Sequence, residues 1–334
     1  MKELPLVSIA LCTYNGARFL EQQLDTLINQ TYTNIEIIAV DDCSTDHTYQ
    51  ILAGYASKYP NLHLYKNKTN LGLIKNFELA LDCCKGELIA FCDQDDLWDL
   101  KKIELQVAAI GNNLMLYHDS ELINEQNESL NVKMTDLFNF YRGDEPEVFL
   151  FSNCVSGHSM LFKKELIDEV RPLKKDTYHD WWIAYVATNL GTIDYLPQCL
   201  VKYRQHDDSD TDLLYRKDDK KDKHRHKTIE QLFKRQSKWL QYCASYPKNK
   251  RPQFVNTLLR LYVNRPNNYL AIQLFFLMKK HVDILYYIPK WDNYRKNREV
   301  KKMIWGYKLK NFWYTYFRPN SKKILRVDLD EKSY

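Results

Sequence analysis

Over its first 110 positions the chain alternates between two kinds of apolar pattern. Val7 to Leu11, Ile35 to Val40, Leu62 to Tyr65 and Glu87 to Cys92 are compact apolar runs of strand length. Runs of that kind suit strands buried on both faces, as in a parallel sheet. Between them Phe19, Leu20, Leu24, Leu27 and Ile28 recur at helical spacing, and Tyr49 to Tyr55 and Ile74 to Cys84 also read as helices. Ser44, Thr45 and Asp46 offer caps for the second of these. The alternation predicts an α/β fold with a mostly parallel sheet flanked by helices, its crossovers right-handed.

Further along, Lys101 to Ile110 predicts a helix, Met115 to His118 a strand, and residues 124–147 a polar, irregular excursion. Ser156 to Phe162 resumes the apolar pattern. Helices are expected over Lys164–Val170 and Trp181–Asn189, then strands over Thr192–Leu196 and Leu200–Arg204. The charge run from Arg216 to Lys227 marks a change of composition. It divides the chain into a domain over 1–215 and a helical, basic and aromatic-rich module over 216–334, with helices at Ile229–Tyr242, Gln253–Asn264 and Tyr269–Tyr287. The apolar run Leu270 to Met278 is too short to cross a bilayer, which takes roughly 20 residues.

Composition narrows the class only modestly. An apolar fraction of 45% supports a core, and a net charge of +5 over 334 residues suits an anionic substrate or membrane surface without calling for nucleic acid. The eight cysteines form no C-x-x-C pair, which argues against zinc or a disulfide framework. The opening residues lead straight into a strand, so a cytoplasmic location is expected.

The chemistry concentrates in Asp93-Gln94-Asp95-Asp96, directly after the apolar run Leu88 to Cys92. Carboxylates this close repel one another unless a cation or donors compensate them. Hard divalent cations take oxygen ligands and share them with phosphates, and open α/β sheets bind ligands at the carboxyl ends of their strands. Asp96 also reads as a cap for the following helix. Four other segments join this one: Cys12-Thr13-Tyr14-Asn15, Asp41 to Asp46, Asn70-Leu71-Gly72 with Lys75-Asn76, and His179-Asp180-Trp181-Trp182.

Together these segments, over roughly Leu6 to His206, resemble the bacterial family 2 glycosyltransferases, enzymes of the GT-A fold that use nucleotide-diphosphate sugars. The FCDQDDLW and HDWW stretches and Tyr203-Arg204-Gln205-His206 are similar to the rhamnosyltransferase-like subset of cell-surface polysaccharide assembly. The resemblance implies a metal-dependent, inverting transfer, with L-rhamnose from dTDP-rhamnose as donor and a UDP-hexose as the alternative. The acceptor would be a surface polysaccharide or lipid-linked glycan.

By the same resemblance Thr13, Tyr14 and Asn15 line a base pocket, Asp42 accepts from the pyrimidine, and Lys75 and Asn76 lie by the nucleotide. Asp93 faces the ribose, and Asp95 holds Mg²⁺ or Mn²⁺ with His206. Lys75 stands where the family often has Arg, which makes it a point charge rather than a fork. Asp180 is the candidate base, since inverting transfer needs a carboxylate to take the acceptor's proton. His179, Trp181 and Trp182 would shield it from water, while capping a helix at Trp181 is the structural alternative. Trp98 and Ser156-Gly157-His158 either shape an acceptor site or belong to the core.

Two other classes stay open: a nucleotidyltransferase, for which Leu11 to Arg18 has few of the glycines and arginines of a triphosphate loop, and a non-catalytic glycan-assembly scaffold. In the C-terminal third, Lys301 to Arg318 interleaves basic and aromatic residues. That pattern fits a membrane surface or packing on the catalytic domain or a second copy of the chain.

Overall fold

The computed structural model describes residues 4–175, 177–207, 213, 229–306 and 308–309. The charge run 216–227 and residues 310–318 of the basic aromatic segment lie outside them. Two compact units emerge, one formed by residues 1–144 and 153–216, the other by 145–152 and 217–334.

The first unit runs β1 (Val7–Thr13), α1 (Ala17–Ile28), β2 (Ile35–Asp41), α2 (Thr48–Ala56), β3 (Leu62–Lys66), α3 (Leu73–Cys83), β4 (Leu88–Cys92), β5 (Leu97–Trp98) and α4 (Lys102–Ile110). It continues through β6 (Met115–Ile123), β7 (Ser129–Lys133), α5 (Met134–Leu137), β8 (Leu161–Lys163), α6 (Leu166–Val170), α7 (His179–Leu190) and β9 (Ile193–Arg204). The sheet order is β3-β2-β1-β4-β8-β6-β9-β5, with β7 on β6. Strands β3, β2, β1 and β4 pair in parallel, as their short, mainly apolar runs predict. β8 then enters antiparallel between β4 and β6.

Every residue of β1, β2 and β4 is buried. The core beneath them gathers Leu20, Leu24 and Leu27 of α1 with Leu52, Ile103 and Leu116. The parallel register brings the ends of β1, β2 and β4 to one edge, so the loops holding Tyr14, Asp42 and Asp93 meet there.

Three expectations are revised. The two strands expected over 192–204 are one, β9, paired with β6 through register shifts that skip Pro197, which has no N–H to give a ladder. The polar excursion contains β7 and α5. Asp96 caps no helix: α4 starts after Lys101, and it is Asp99 Oδ1 that accepts the Lys101 N–H, at 2.8 Å.

The second unit holds α8 (Ile229–Ser245), α9 (Pro252–Val263), α10 (Ile272–Lys280), α11 (Val282–Leu285) and α12 (Asn293–Lys302). The expected helix over 269–287 breaks at His281, and α12 escaped the pattern because Val300 is its one buried residue. The 3-10 turn Pro146–Leu150 belongs to this unit: Trp239 Nε1 donates to Phe149 O and Gln236 Nε2 to Leu150 O. No described helix is long and apolar enough to cross a membrane.

Candidate active site

The first wall of the site is the loop after β1. Tyr14 N donates to Gln94 Oε1 at 2.9 Å and Gln94 Nε2 returns a bond to Tyr14 O at 3.1 Å. The β1 loop and the acid loop are thus locked together through a residue that motif reading passed over. Asn15 has a positive φ of 50° and accepts from Thr45 N at 2.8 Å, while its own N–H reaches Ser44 Oγ. The Tyr14 ring stays exposed, whereas the Thr13 hydroxyl is buried towards Asp41.

Asp42 is buried and organises the next loop. Its carboxylate accepts from Asn67 Nδ2 at 2.7 Å and from the Leu71 and Gly72 N–H groups, each at 2.8 Å. Gly72 there has φ +82°, a conformation open to glycine with little strain. Asn76 is not on the cleft surface: its side chain is buried, donating to Val40 O and accepting from Asn67. Both ends of its amide are used in fixing α3 to β2, so its expected contact with nucleotide is corrected to a supporting one. Lys75 is largely exposed and pairs with Glu78 one turn along α3.

The acid loop splits into two layers. On the outer side Asp93 is half-buried, and Asp95 Oδ2 stands 2.8 Å from His206 Nε2. The His206 ring rests on Phe19, 5.1 Å between centroids. On the inner side Asp96 is fully buried; its Oδ1 accepts from Arg204 N at 3.0 Å, and its Oδ2 lies 4.0 Å from His158 Nδ1. Burial pushes the Asp96 carboxyl well above the usual range, and the Asp95 and Asp93 charges add to the push. Burial with Lys102 nearby pulls His158 down to about 3.

Arg204 is the residue whose importance the motif hid. It is buried, Nε donates to Asp95 O at 2.6 Å, and the rest of the guanidinium reaches Asn124 O, Glu125 O, Asn127 Oδ1 and Gln22 Oε1. Little in the sequence signals it, because β9 carries other charged residues in Asp194 and Lys202. A guanidinium is the cation best fitted to several fixed acceptors at once.

Asp180 is the second residue of α7, which begins at His179 with Tyr178 as cap residue, two residues earlier than the expected start at Trp181. Its carboxylate accepts from Asn153 Nδ2 at 3.2 Å and Trp181 N at 2.5 Å, and also from the Gly157 backbone. Burial outweighs these donors and pushes its pKa up to about 7. His179 is wedged against Phe77 and Phe91 and is held down to about 4 by burial. Trp182 is buried and gives its indole N–H to Val170 O at 2.7 Å. A Cβ on Gly157 would lie 2.8 Å from His179 Nε2, which explains the glycine there. Gly157 bonds Asp180 while the adjacent His158 faces Asp96, so one turn spans both carboxyl groups.

Three carboxylates on one loop, with an imidazole beside one of them, suit a hard divalent cation. Asp93, Asp96 and His158 offer ligand atoms within 4.8 Å of one another among the described residues. Asp96 and His158 are sealed in, however, and Lys102 is close enough to pull on both. On the outer side Asp95 and His206 form a separate pair, with Asp93 and Asp95 only half-buried.

The family model described as Glycosyl transferase family 2 matches residues 8–171, from β1 through α6. Over this stretch, just under half of its length, the chain resembles that family. A Haemophilus influenzae relative known only as an uncharacterized glycosyltransferase is 29% identical over 62% of this chain and 67% of its own length. One from Rickettsia typhi is 32% identical over 61% of this chain, and the match spans 65% of that relative, just short of two thirds. Among solved structures, residues 1–349 of S. aureus TarS in complex with UDP-GlcNAc superpose with a TM-score of 0.57 at 15% identity, covering 94% of this chain and 93% of that one. That likeness shows the fold, a GT-A glycosyltransferase sheet with helices around it, as the sequence led one to expect.

Proposed function

We propose that this chain transfers a sugar from a nucleoside-diphosphate sugar to a hydroxyl of a glycan acceptor, inverting the anomeric carbon. Asp180 carries the reading. It is a carboxylate pushed to about 7 at a helix start, joined by the Gly157–His158 turn to the acid loop. A base of that pKa accepts a proton near neutral pH without being permanently protonated. Asp180 takes the proton of the acceptor hydroxyl as that oxygen bonds to the anomeric carbon. The bond from this carbon to the β-phosphate oxygen breaks, and the nucleoside diphosphate departs.

Asp95 and His206, with Asp93 beside them, would hold Mg²⁺ or Mn²⁺. A metal bound there offsets the negative charge on the leaving diphosphate. The Tyr14 ring and the unused acceptor lobe of Asp42 Oδ2 would meet the base, and Asp93 the ribose. Lys75 would add long-range attraction for phosphate. The dTDP-rhamnose reading rests on the motif likeness; TarS 1–349, solved with UDP-GlcNAc and with UDP, supports a sugar nucleotide in general and keeps a UDP-hexose as the alternative. An acceptor that is a lipid-linked or surface glycan at the cytoplasmic membrane face completes the proposal.

Calorimetric titration with dTDP, UDP and GDP, each with Mn²⁺ and with EDTA, tests it. Metal-dependent binding that is tightest for dTDP is expected. Preference for UDP moves the donor to a UDP-hexose, and binding of none of the three overturns the reading.

A further inference from the structure

Beneath the acid loop lies a group of buried polar atoms that the proposed reaction does not use. Asp96 Oδ2, Trp98 Nε1, Lys102 Nζ, Gln106 Oε1 and His118 Nε2 are all buried and make no direct hydrogen bond among the described residues. They come from four places: the acid loop, β5, the first two turns of α4, and β6. One isolated orphan can be a local misfit; a lysine and four other orphans on neighbouring elements point to a shared polar chamber, because buried polar groups are almost always paired.

The chemistry of the five is complementary. Lys102 is fully buried, with its ammonium 3.5 Å from the centroid of the Trp98 ring. Its charge is felt at Asp96, His118 and His158. His118 Nδ1 lies 2.7 Å from Asp119 O, a carbonyl that only accepts, so Nδ1 carries the proton and Nε2 presents a lone pair. Gln106 Nε2 donates to Ser159 O at 2.9 Å, which leaves Oε1 turned inward one helical turn from Lys102. An ammonium has three N–H donors, and three acceptors lack one here: Asp96 Oδ2, Gln106 Oε1 and His118 Nε2. None is in direct contact, and water, which both donates and accepts, is the usual occupant of a polar interior gap with several partners.

We propose that Lys102 is the internal counter-cation of the acid loop, joined to Asp96, Gln106 and His118 through buried water, and that it positions Asp93 and Asp95 for the donor. It touches no substrate and acts through Asp96. Asp96 is held from one side by the backbone of Arg204 and from the other by this hydrated ammonium, which fixes the residue next to Asp95. Burial pulls the lysine down to about 7, with Cys92 and Asp96 opposing; water on the ammonium adds to the opposition. The same positive charge keeps a divalent cation out of the inner layer and leaves the outer one for it.

The positioning role deepens the donor-site reading and rests on it, whereas the chamber itself does not. A crystal structure of the full wild-type chain at a resolution that shows ordered water should place at least one water bridging Lys102 Nζ to two of the three acceptors. A dry gap, or an ammonium turned to another partner, overturns the proposal whatever the protein's activity. The second arm titrates dTDP or UDP with Mn²⁺ into Lys102→Met, Asp96→Asn and the double variant, with folding followed by circular dichroism. Lys102→Met should bind about tenfold more weakly, and adding Asp96→Asn should restore most of that loss, since the charge needing compensation is then gone. Wild-type affinity in Lys102→Met, or losses that merely multiply in the double variant, overturns the positioning role. If Lys102→Met does not fold, the water structure decides. If the wild type binds no nucleotide, the donor-site reading and the positioning role fall together, and the chamber stands or falls by its water.

Discussion

Two carboxyl groups at opposite ends of one turn, Asp180 and Asp96, are both raised by burial, and the fold treats them differently. Asp180 accepts from Asn153, Trp181 and the Gly157 backbone, with about 7 as the net result. Asp96 accepts from the Arg204 N–H, feels Asp95 and Asp93 as well as its own burial, and is sealed from solvent. Burial shifts a pKa; what makes a group a usable base is burial together with access and donors that keep the shift moderate. Asp180 retains that access, being half-buried at a helix start. Asp96 is raised as well but can reach nothing but the protein, so its consequence is structural.

The comparison is sharpened most by removing one carboxylate while keeping its shape. Asp180→Asn keeps the volume and accepts from the same donors through its amide oxygen, yet cannot take a proton. Turnover should fall by about 10²- to 10⁴-fold, the usual worth of a positioned general base. Affinity for the nucleoside diphosphate, measured by the same calorimetry, should stay within about threefold. A large loss of binding would move Asp180 from the chemistry to the framework and erase the contrast with Asp96.

How much of this was legible from sequence follows from what each residue type can signal. The strands of the parallel half were plain because runs such as Leu88 to Cys92 have no charged position, and the loops after them carried Tyr14, Asp42 and Asp93. Asn76 was misplaced because its motif lies beside the site while its amide turns inward to Val40 O, and side-chain direction is set by packing that no pattern encodes. Arg204 was visible only as a letter in a terminal motif; that it is buried and reaches Asn124, Asn127 and Gln22 depends on β9 lying beside β6. Lys102 was harder still. A lysine at the start of a helix ordinarily faces water, and its burial depends on Trp98 and on two histidines contributed from β6 and the Gly157–Ser159 turn.

Arg204 provides the next largest effect. In Arg204→Met the backbone N–H to Asp96 survives, while Asp95 O and the acceptors of residues 22, 124, 125 and 127 lose their donors. Losing these part-buried, charge-assisted hydrogen bonds together with the guanidinium's packing on Phe19 should cost about 2 kcal/mol of stability. Urea denaturation measures this directly. A change under about 1 kcal/mol would mean that the acid loop is held by Asp96 and Gln94 without the guanidinium, and the inner layer would then carry the whole load.

The smallest effect is the most specific to the comparison, because it concerns sign. A carboxyl whose folded pKa, about 7, exceeds its ordinary value makes the folded protein bind more protons than the unfolded chain between those two values. Stability from Asp180 is therefore full below about pH 4 and lost as the pH rises through about 7. Asparagine does not titrate, so Asp180→Asn should match the wild type in acid and exceed it in alkali. Partial exposure reduces the gain from the full shift to about 2 kcal/mol. Asp96 tilts both proteins in the same direction and cancels in the difference. Denaturation at pH 4.5 and pH 8 gives the two ends of the curve. A variant no more stable than the wild type at pH 8 would mean that Asp180 is ionised at no cost, and with that its fitness as a base near neutrality would be gone.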